Sequence, residues 1–175
     1  MKCHHDKNFP VAMRYLDLLR HAKAEPNNAM GDTARALTET GRETAATLCT
    51  DLRDLHPAPS FVLCSRATRT RQTLNIIQSA LSDEADIETS ADLYNASTST
   101  IYELIKELPD AHSTVLLIGH NPGLSEIVNF LSATPLALQP ADYVRLAINI
   151  DHWANVMPGE GRVFRCFRPS ILPQE

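Results

Sequence analysis

The sequence predicts one α/β domain with a mostly parallel central sheet, helices on both faces of that sheet, and an antiparallel hairpin at its C-terminal edge. Short, nearly continuous apolar runs alternate with amphipathic segments, which is typical of a parallel sheet buried on both faces. Near the C-terminus the pattern changes to a period of two, which favours an antiparallel pair. A length of 175 residues fits a single domain of ordinary size.

The individual elements follow from the spacing of apolar residues. Three apolar runs predict buried strands at residues 15–19, 61–64 and 114–119. Four segments carry apolar side chains at i, i+3, i+4 and i+7, and these predicted helical stripes start at Ala45, Thr70, Ile101 and Leu124. Thr40 and Glu43 have capping-box spacing before the first stripe, although Thr38 offers a start one turn earlier.

The predicted edge hairpin closes the domain. Residues 143–150 alternate with period two, and residues 162–167 follow a turn-rich segment, so the two are expected to pair. We assign residues 14–170 to the α/β domain and expect residues 1–13 to form a flexible N-terminal extension.

Composition narrows the function classes. The formal net charge of -5 argues against a broad nucleic-acid surface, and no apolar run approaches the roughly 18 residues of a membrane-spanning helix. The N-terminus lacks the apolar stretch of a secretory signal, so we expect a cytoplasmic protein, and we expect a monomer. The four cysteines form no C-x-x-C pair and are interpreted as reduced thiols. Cys3, His4 and His5 lie in the predicted extension and are not taken as a metal site.

Polar segments that can carry chemistry follow all three predicted strands. They read "RHAKAE" at 20–25, "SRATRTRQT" at 65–73 and "GHNPG" at 119–123. Ligands of an open α/β sheet bind outside the carboxyl ends of its strands, so these segments are expected to meet. They supply two imidazoles and at least two guanidiniums: Arg20, His21, His120 and one or more of Arg66, Arg69 and Arg71.

Cations and imidazoles around one crevice favour a phosphoryl group, whose oxygens match the planar guanidinium fork. An imidazole can also attack phosphorus and form a phosphohistidine. Each segment also has a simpler interpretation, since Arg66 and Arg71 fit a solvated helix face and "GHNPG" fits a tight turn. Their occurrence together at three strand ends favours a phosphoryl site that needs neither a metal nor a cofactor.

These motifs resemble those of the histidine phosphatase superfamily, in the branch of the phosphohistidine phosphatase SixA. The resemblance lies in "LLRHAKAE", "ALTETGRETA", "SRATRTRQT" and "LLIGHNPGLSEIV". It implies that His21 is the nucleophile, that Arg20 and Arg69 clamp the phosphoryl oxygens, and that His120 donates a further hydrogen bond. Arg69 is selected by the family pattern S-x-x-x-R-x-x-Q-T. Helical geometry from a start near Ser65 would leave Arg66 and Arg69 on one face and exclude Arg71.

One departure from the family bears on the substrate. Larger members carry a glutamate general acid in a segment that corresponds here to "LYNASTST", which has no carboxylate. The candidate substitutes for this acid are Glu25, Asp32, Glu103 and Glu126. A phosphorylated imidazole leaves more readily than an alcohol, so we expect a metal-independent phosphatase for phosphohistidine on a phosphotransfer protein. The alternatives are a phosphomonoesterase or mutase for a small metabolite, and a non-catalytic module that binds phosphoproteins.

Overall fold

A computed structural model describes residues 12–26 and 29–169. Within these residues the chain forms a six-stranded sheet in the order β3-β2-β4-β1-β5-β6. The strands are β1 Met13–Arg20, β2 Phe61–Ser65, β3 Asp86–Ser90, β4 Thr114–Gly119, β5 Tyr143–Asn149 and β6 Arg162–Phe167. The first four strands are parallel to one another, whereas β5 is antiparallel to β1 and β6 is antiparallel to β5. The predicted α/β class and the C-terminal edge hairpin are confirmed.

Four α-helices cover the two faces of the sheet. They are α1 Glu39–Leu52, α2 Thr68–Ile77, α3 Thr98–Lys106 and α4 Gly123–Ser132. Helices α3 and α4 pack on the face of β1 that carries Leu16 and Leu18, and α1 and α2 pack on the face that carries Leu19. No helix among residues 12–26 and 29–169 is long and apolar enough to cross a membrane.

Three details differ from the sequence prediction. Helix α1 starts after Thr38, whose side chain accepts a hydrogen bond from the Gly41 N–H, so Thr38 rather than Thr40 is the cap. Helix α2 starts at Thr68 rather than near Ser65. Strand β3 was not predicted, because its sequence "DIETS" is largely exposed and contains no apolar run. Of the expected extension at 1–13, residues 1–11 lie outside the described residues.

The loop after β1 is fixed to α1 and α2. A Cβ atom on Gly41 would lie 2.1 Å from the Lys23 carbonyl oxygen, so only glycine lets α1 approach this loop. In α2, the Gln72 side chain accepts a hydrogen bond from the Leu37 N–H, and the Thr73 hydroxyl accepts one from the Ala22 N–H. The two residues that follow His21 are therefore held by neighbouring helices.

A second glycine brings two other loops together. A Cβ atom on Gly123, the first residue of α4, would lie 2.2 Å from the carbonyl oxygen of Ala96. The segment that leads into α3 therefore rests directly on the start of α4, just after His120.

Candidate active site

The carboxyl ends of β1, β2 and β4 meet around a pocket of about 330 Å³. His21 follows β1, Arg69 lies in the first turn of α2 after β2, and His120 follows β4. All three side chains are buried, and with Arg20 they line this pocket. The structure thus brings together the four residues that the sequence singled out at the strand ends.

His21 presents an imidazole lone pair to the pocket. Its Nδ1 lies 2.7 Å from the carbonyl oxygen of Ala22, and because a carbonyl only accepts, Nδ1 carries the proton. Its Nε2 accepts a hydrogen bond of 3.2 Å from Nε of Arg69. Burial, together with the charges of Arg69, Arg20 and Arg35, lowers the pKa of His21 to about 4. At neutral pH, Nε2 is therefore an unprotonated nitrogen.

His120 has the complementary hydrogen-bond pattern. Its Nδ1 accepts from Nη2 of Arg69 at 3.2 Å, and its Nε2 donates to the hydroxyl of Ser65 at 2.8 Å. Burial lowers the pKa of His120 to about 3, and the neighbouring His21 and Arg69 contribute in the same direction. The centroids of the two imidazole rings lie 5.1 Å apart, so two neutral rings line one wall of the pocket.

Arg69 links both histidines to Asp32. Besides its bonds to the two imidazoles, its Nη1 donates to the backbone oxygen of Asp32 at 2.7 Å and its Nη2 donates to Oδ2 of Asp32 at 3.0 Å. The Arg69 side chain is buried, and its position in the first turn of α2 points it at the strand ends. A guanidinium held in this way can bind an anion with a defined orientation.

Asp32 is itself held by two further groups. The hydroxyl of Tyr94 donates to its Oδ2 at 2.5 Å, and Nε of Arg35 lies 2.8 Å from its Oδ1. The hydrogen bond from Tyr94 and the charges of Arg69 and Arg35 lower the pKa of Asp32. The same hydrogen bond raises the pKa of Tyr94. At neutral pH Asp32 is therefore an ionised hydrogen-bond acceptor, and it carries no proton that it could donate as a general acid.

Arg20 lines the same pocket and is held by the segment that precedes β5. Its Nη1 donates to the backbone oxygen of Leu138 at 2.8 Å, and its Nε is buried without a hydrogen-bond partner. Burial lowers the pKa of Arg20, an effect that Asp142 opposes. The guanidinium of Arg20 therefore supplies a positive charge at the pocket wall, to which an anionic ligand can bind.

The remaining sequence candidates lie elsewhere. Glu25 is exposed and does not line the pocket, Glu103 pairs with Lys106, and Glu126 accepts a hydrogen bond from Thr98. Arg66 and Arg71 are exposed and line other hollows. The prediction that Arg66 and Arg69 share a helix face is wrong, because Arg66 precedes the helix.

Sequence reasoning missed several residues of the pocket. Tyr94 reaches the site from the "LYNASTST" segment, which was inspected only for a carboxylate. Tyr94 acts through its bond to Asp32, and the lining residues that were not singled out are Lys23, Ala24, Arg35, Asn95, Asn121 and Pro140. No sequence pattern marks them, because their convergence depends on tertiary contacts.

The pocket can bind a phosphoryl group and present a nucleophile to it. Two guanidinium groups, those of Arg20 and Arg69, line it, and the neutral Nε2 of His21 lies 3.2 Å from Nε of Arg69. The part of the chain that the structure describes contains no group of three His, Cys, Asp or Glu side chains that could hold a metal ion. The cationic side chains that line the pocket are those of Arg20, Lys23, Arg35 and Arg69.

Comparison with known proteins gives consistent results. The family model of the histidine phosphatase superfamily (branch 1) matches residues 16–114. The Mycobacterium tuberculosis protein Rv1276c is 32% identical over 151 residues, which cover 81% of this chain and 93% of that protein.

Two solved structures are similar in fold. The Nakamurella multipartitia protein assigned as phosphohistidine phosphatase SixA has 28% identity and a TM-score of 0.80, with 93% of this chain and 100% of that chain covered. The corresponding Agrobacterium tumefaciens protein has 26% identity and a TM-score of 0.75 with the same coverage. The family model matches more than half of the chain, and both solved structures are similar to it over most of its length. The chain therefore belongs to the histidine phosphatase superfamily, in its SixA-like branch.

Proposed function

We propose that the protein is a metal-independent phosphatase that removes phosphate from histidine on a phosphotransfer protein, through a phosphohistidine intermediate on His21. The observation that carries this proposal is the Nε2 lone pair of His21, which is unprotonated and lies beside the Arg69 guanidinium. In this proposal Arg20 and Arg69 bind the phosphoryl oxygens. His120 stabilises the transferred group in its other tautomer, in which the Ser65 hydroxyl donates to Nε2 and Nδ1 carries the proton that it donates to a phosphoryl oxygen. The cytoplasmic location and monomeric state expected from the sequence belong to the same proposal.

The first step is an in-line attack of His21 Nε2 on phosphorus. A bond forms between this nitrogen and phosphorus while the bond from phosphorus to the substrate imidazole breaks, and the leaving nitrogen takes the electron pair. A substrate ring whose other nitrogen carries a proton leaves as a neutral imidazole, so no further proton is required. The hydrogen bond from Nδ1 of His21 to the Ala22 carbonyl stabilises the positive ring that forms on His21.

The second step returns the enzyme to its starting state. A water molecule attacks the phosphoryl group, the bond from phosphorus to His21 breaks, and the imidazole regains its lone pair. Both protons of the water leave with dihydrogen phosphate. Arg20 and Arg69 offset the charge on the equatorial oxygens in both steps, which is the contribution expected of guanidinium groups in phosphoryl transfer.

The state of Asp32 supports phosphohistidine over a phosphate ester. An alcohol leaving group needs a proton from a positioned acid, which contributes about 10² to 10⁴ in rate. Asp32 is the one carboxylate among the described residues that line the pocket, and Tyr94, Arg69 and Arg35 keep it ionised. An imidazole leaving group does not need this acid. We therefore assign Asp32 to positioning Arg69, and we do not retain Glu25 as an acid because it is outside the pocket.

Parallel kinetics test the proposal. Purified protein is given a phosphohistidine peptide, a phosphoserine peptide of the same sequence and a small sugar phosphate, and phosphate release is measured for each with His21→Ala as the blank. We expect kcat/KM for the phosphohistidine peptide to exceed the other two by at least about 10², the lower value of a missing general acid. Equal turnover of all three would favour the metabolite phosphatase, and binding without release would favour the non-catalytic module.

A further inference from the structure

Strand β3 forms one edge of the sheet and is exposed along most of its length. It pairs with β2 alone among the described strands, and four of its five residues are exposed. The register places Glu88 beside Leu63 and Ile87 beside Val62, so alternate residues of β3 point to opposite faces of the sheet.

The free edge of β3 offers backbone hydrogen-bonding groups. The N–H of Asp86 donates to Ser60, and the carbonyl of Ser90 accepts from Arg66, so both of these residues direct their backbone towards β2. In a parallel ladder alternate residues face the same partner, so Glu88 also faces β2, whereas Ile87 and Thr89 face the other way. The N–H and C=O groups of Ile87 and Thr89 therefore point away from β2 in the plane of the sheet, where another strand could pair with them.

A hollow lies on each face of this edge. Glu88 and Ser90 line a hollow of about 510 Å³ whose apolar side chains include Leu63 and Leu104. Ile87 lines a hollow of about 520 Å³ on the opposite face, beside α2. Successive side chains of a strand alternate between faces, so a strand added to β3 would place its side chains alternately into the two hollows.

The charges of the two hollows are different. The first is lined by three carboxylates, Glu88, Asp92 and Glu107, and by one guanidinium, Arg66. The second has no carboxylate among its described lining residues and one guanidinium, Arg71. A matching segment carries lysine or arginine at the positions that face the first hollow and uncharged residues at those that face the second. A second copy of β3 fits poorly, since antiparallel pairing about Glu88 would set two glutamates opposite each other.

We propose that the edge of β3 is a docking site for an extended, basic segment of another protein, bound by strand addition. This goes beyond the phosphatase function and does not depend on it. The site flanks the phosphate pocket, because Arg66 lies three residues before Arg69 and Asp92 lies two residues before Tyr94. A protein held on β3 would therefore lie next to the pocket.

A peptide-binding experiment tests the proposal without any phosphate. The probe is a fluorescent ten-residue peptide of alternating lysine and valine, and the controls are the same peptide with glutamate for lysine and a form N-methylated on one edge. We expect the lysine peptide to bind saturably and the two control peptides not to bind. Hydrogen exchange of the Ile87 and Thr89 amides of the protein should slow when the lysine peptide is bound. We expect Glu88→Lys to weaken this binding at least about fivefold.

Thr89→Pro is the matched backbone variant. Its substituted N–H points away from β2, so the pairing with β2 remains while strand addition is blocked. We expect binding to be lost and hydrolysis of a small phosphoramidate to be unchanged. Equal binding of the N-methylated peptide, or exchange protection elsewhere, would overturn the proposal, as would self-association through β3 detected by sedimentation. The N-methylated control leaves the protein unaltered, so it decides the question even if Thr89→Pro fails to fold.

Discussion

The Nε–H of Arg69 donates a 3.2 Å hydrogen bond to Nε2 of His21, the nitrogen that the proposed mechanism uses as nucleophile. In the free protein this contact holds the lone pair in the pocket and opposes protonation of the ring. A bound phosphoryl group would offer Arg69 oxygen acceptors in place of the imidazole. The arginine would then release the nucleophile as it binds the group to be attacked.

Replacing His21 with alanine should abolish turnover and leave the fold intact. The variant removes the attacking nitrogen, for which we expect a loss of at least about 10³ in kcat/KM. Activity is measured beside a thermal melt. His120→Ala should be impaired but retain some activity, since in the proposal it stabilises charge without forming a covalent bond. Acid-labile phosphate trapped on His120 and never on His21 would exchange the two roles.

Replacing Arg69 with lysine should cost most of the activity although the charge is kept. Lysine cannot reproduce the planar fork that contacts both histidines and Asp32, so we expect a loss of about 2 to 4 kcal/mol in transition-state stabilisation. Arg71→Lys and Arg66→Lys are the matched controls, because both arginines are exposed outside the pocket. A larger effect of Arg66→Lys than of Arg69→Lys on kcat/KM would refute the assignment.

Replacing Asp32 with asparagine should lower kcat by about tenfold, because Arg69 loses the carboxylate that positions it. Tyr94→Phe, which removes one hydrogen bond to Asp32 but keeps its charge, should have a smaller effect. The amide keeps the shape of the side chain but removes the charge that pairs with Arg69. The deciding measurement is the pH profile. If Asp32 were the general acid, the wild type would show an alkaline limb in kcat that disappears in the Asp32→Asn variant.

The pH dependence should follow the lowered pKa of His21. Protonation removes the Nε2 lone pair, so the active form is the neutral ring, which persists at every pH above a pKa of about 4. We expect kcat/KM to be constant from neutral pH down to about pH 5 and to fall below that. The profile is measured with a phosphoramidate and corrected for the ionisation of that substrate. A fall in kcat/KM centred near pH 6.5, the ordinary pKa of about 6.5 for an imidazole, would contradict a pKa of His21 lowered by burial and by the neighbouring arginines.

Chelation should leave the rate unchanged. In the proposed mechanism arginine and histidine side chains carry out the charge stabilisation that a divalent ion performs in other phosphatases. The rate with a phosphohistidine peptide is measured before and after dialysis against EDTA. Loss of activity that Mg²⁺ restores would show a different chemistry.

The sequence predicted the elements whose signals are local. Strands β1, β2 and β4 are continuous apolar runs, and the ends of these strands placed Arg20, His21 and His120 at one edge of the sheet. Strand β3 has no such signal, since Ile87 is the single apolar residue within it and is itself exposed. The contact of Tyr94 with Asp32 joins residues 62 positions apart, and no periodicity reports a contact of that kind. The start of α2 depends on the turn after β2, which the arginine spacing did not reveal.

The contact between Gly123 and Ala96 sets how closely two main-chain segments beside the pocket approach each other. Ala96 follows Tyr94 and Asn95 on one rim, and Gly123 begins the helix behind His120 on the other. A methyl group at Gly123 would push these two segments apart. We expect it to move the Tyr94 ring away from the His120 ring, although both side chains would still be present. Lys23 and Asn95 also line the pocket, so we expect substitutions there to change the charge and shape of its lining while this main-chain contact is kept.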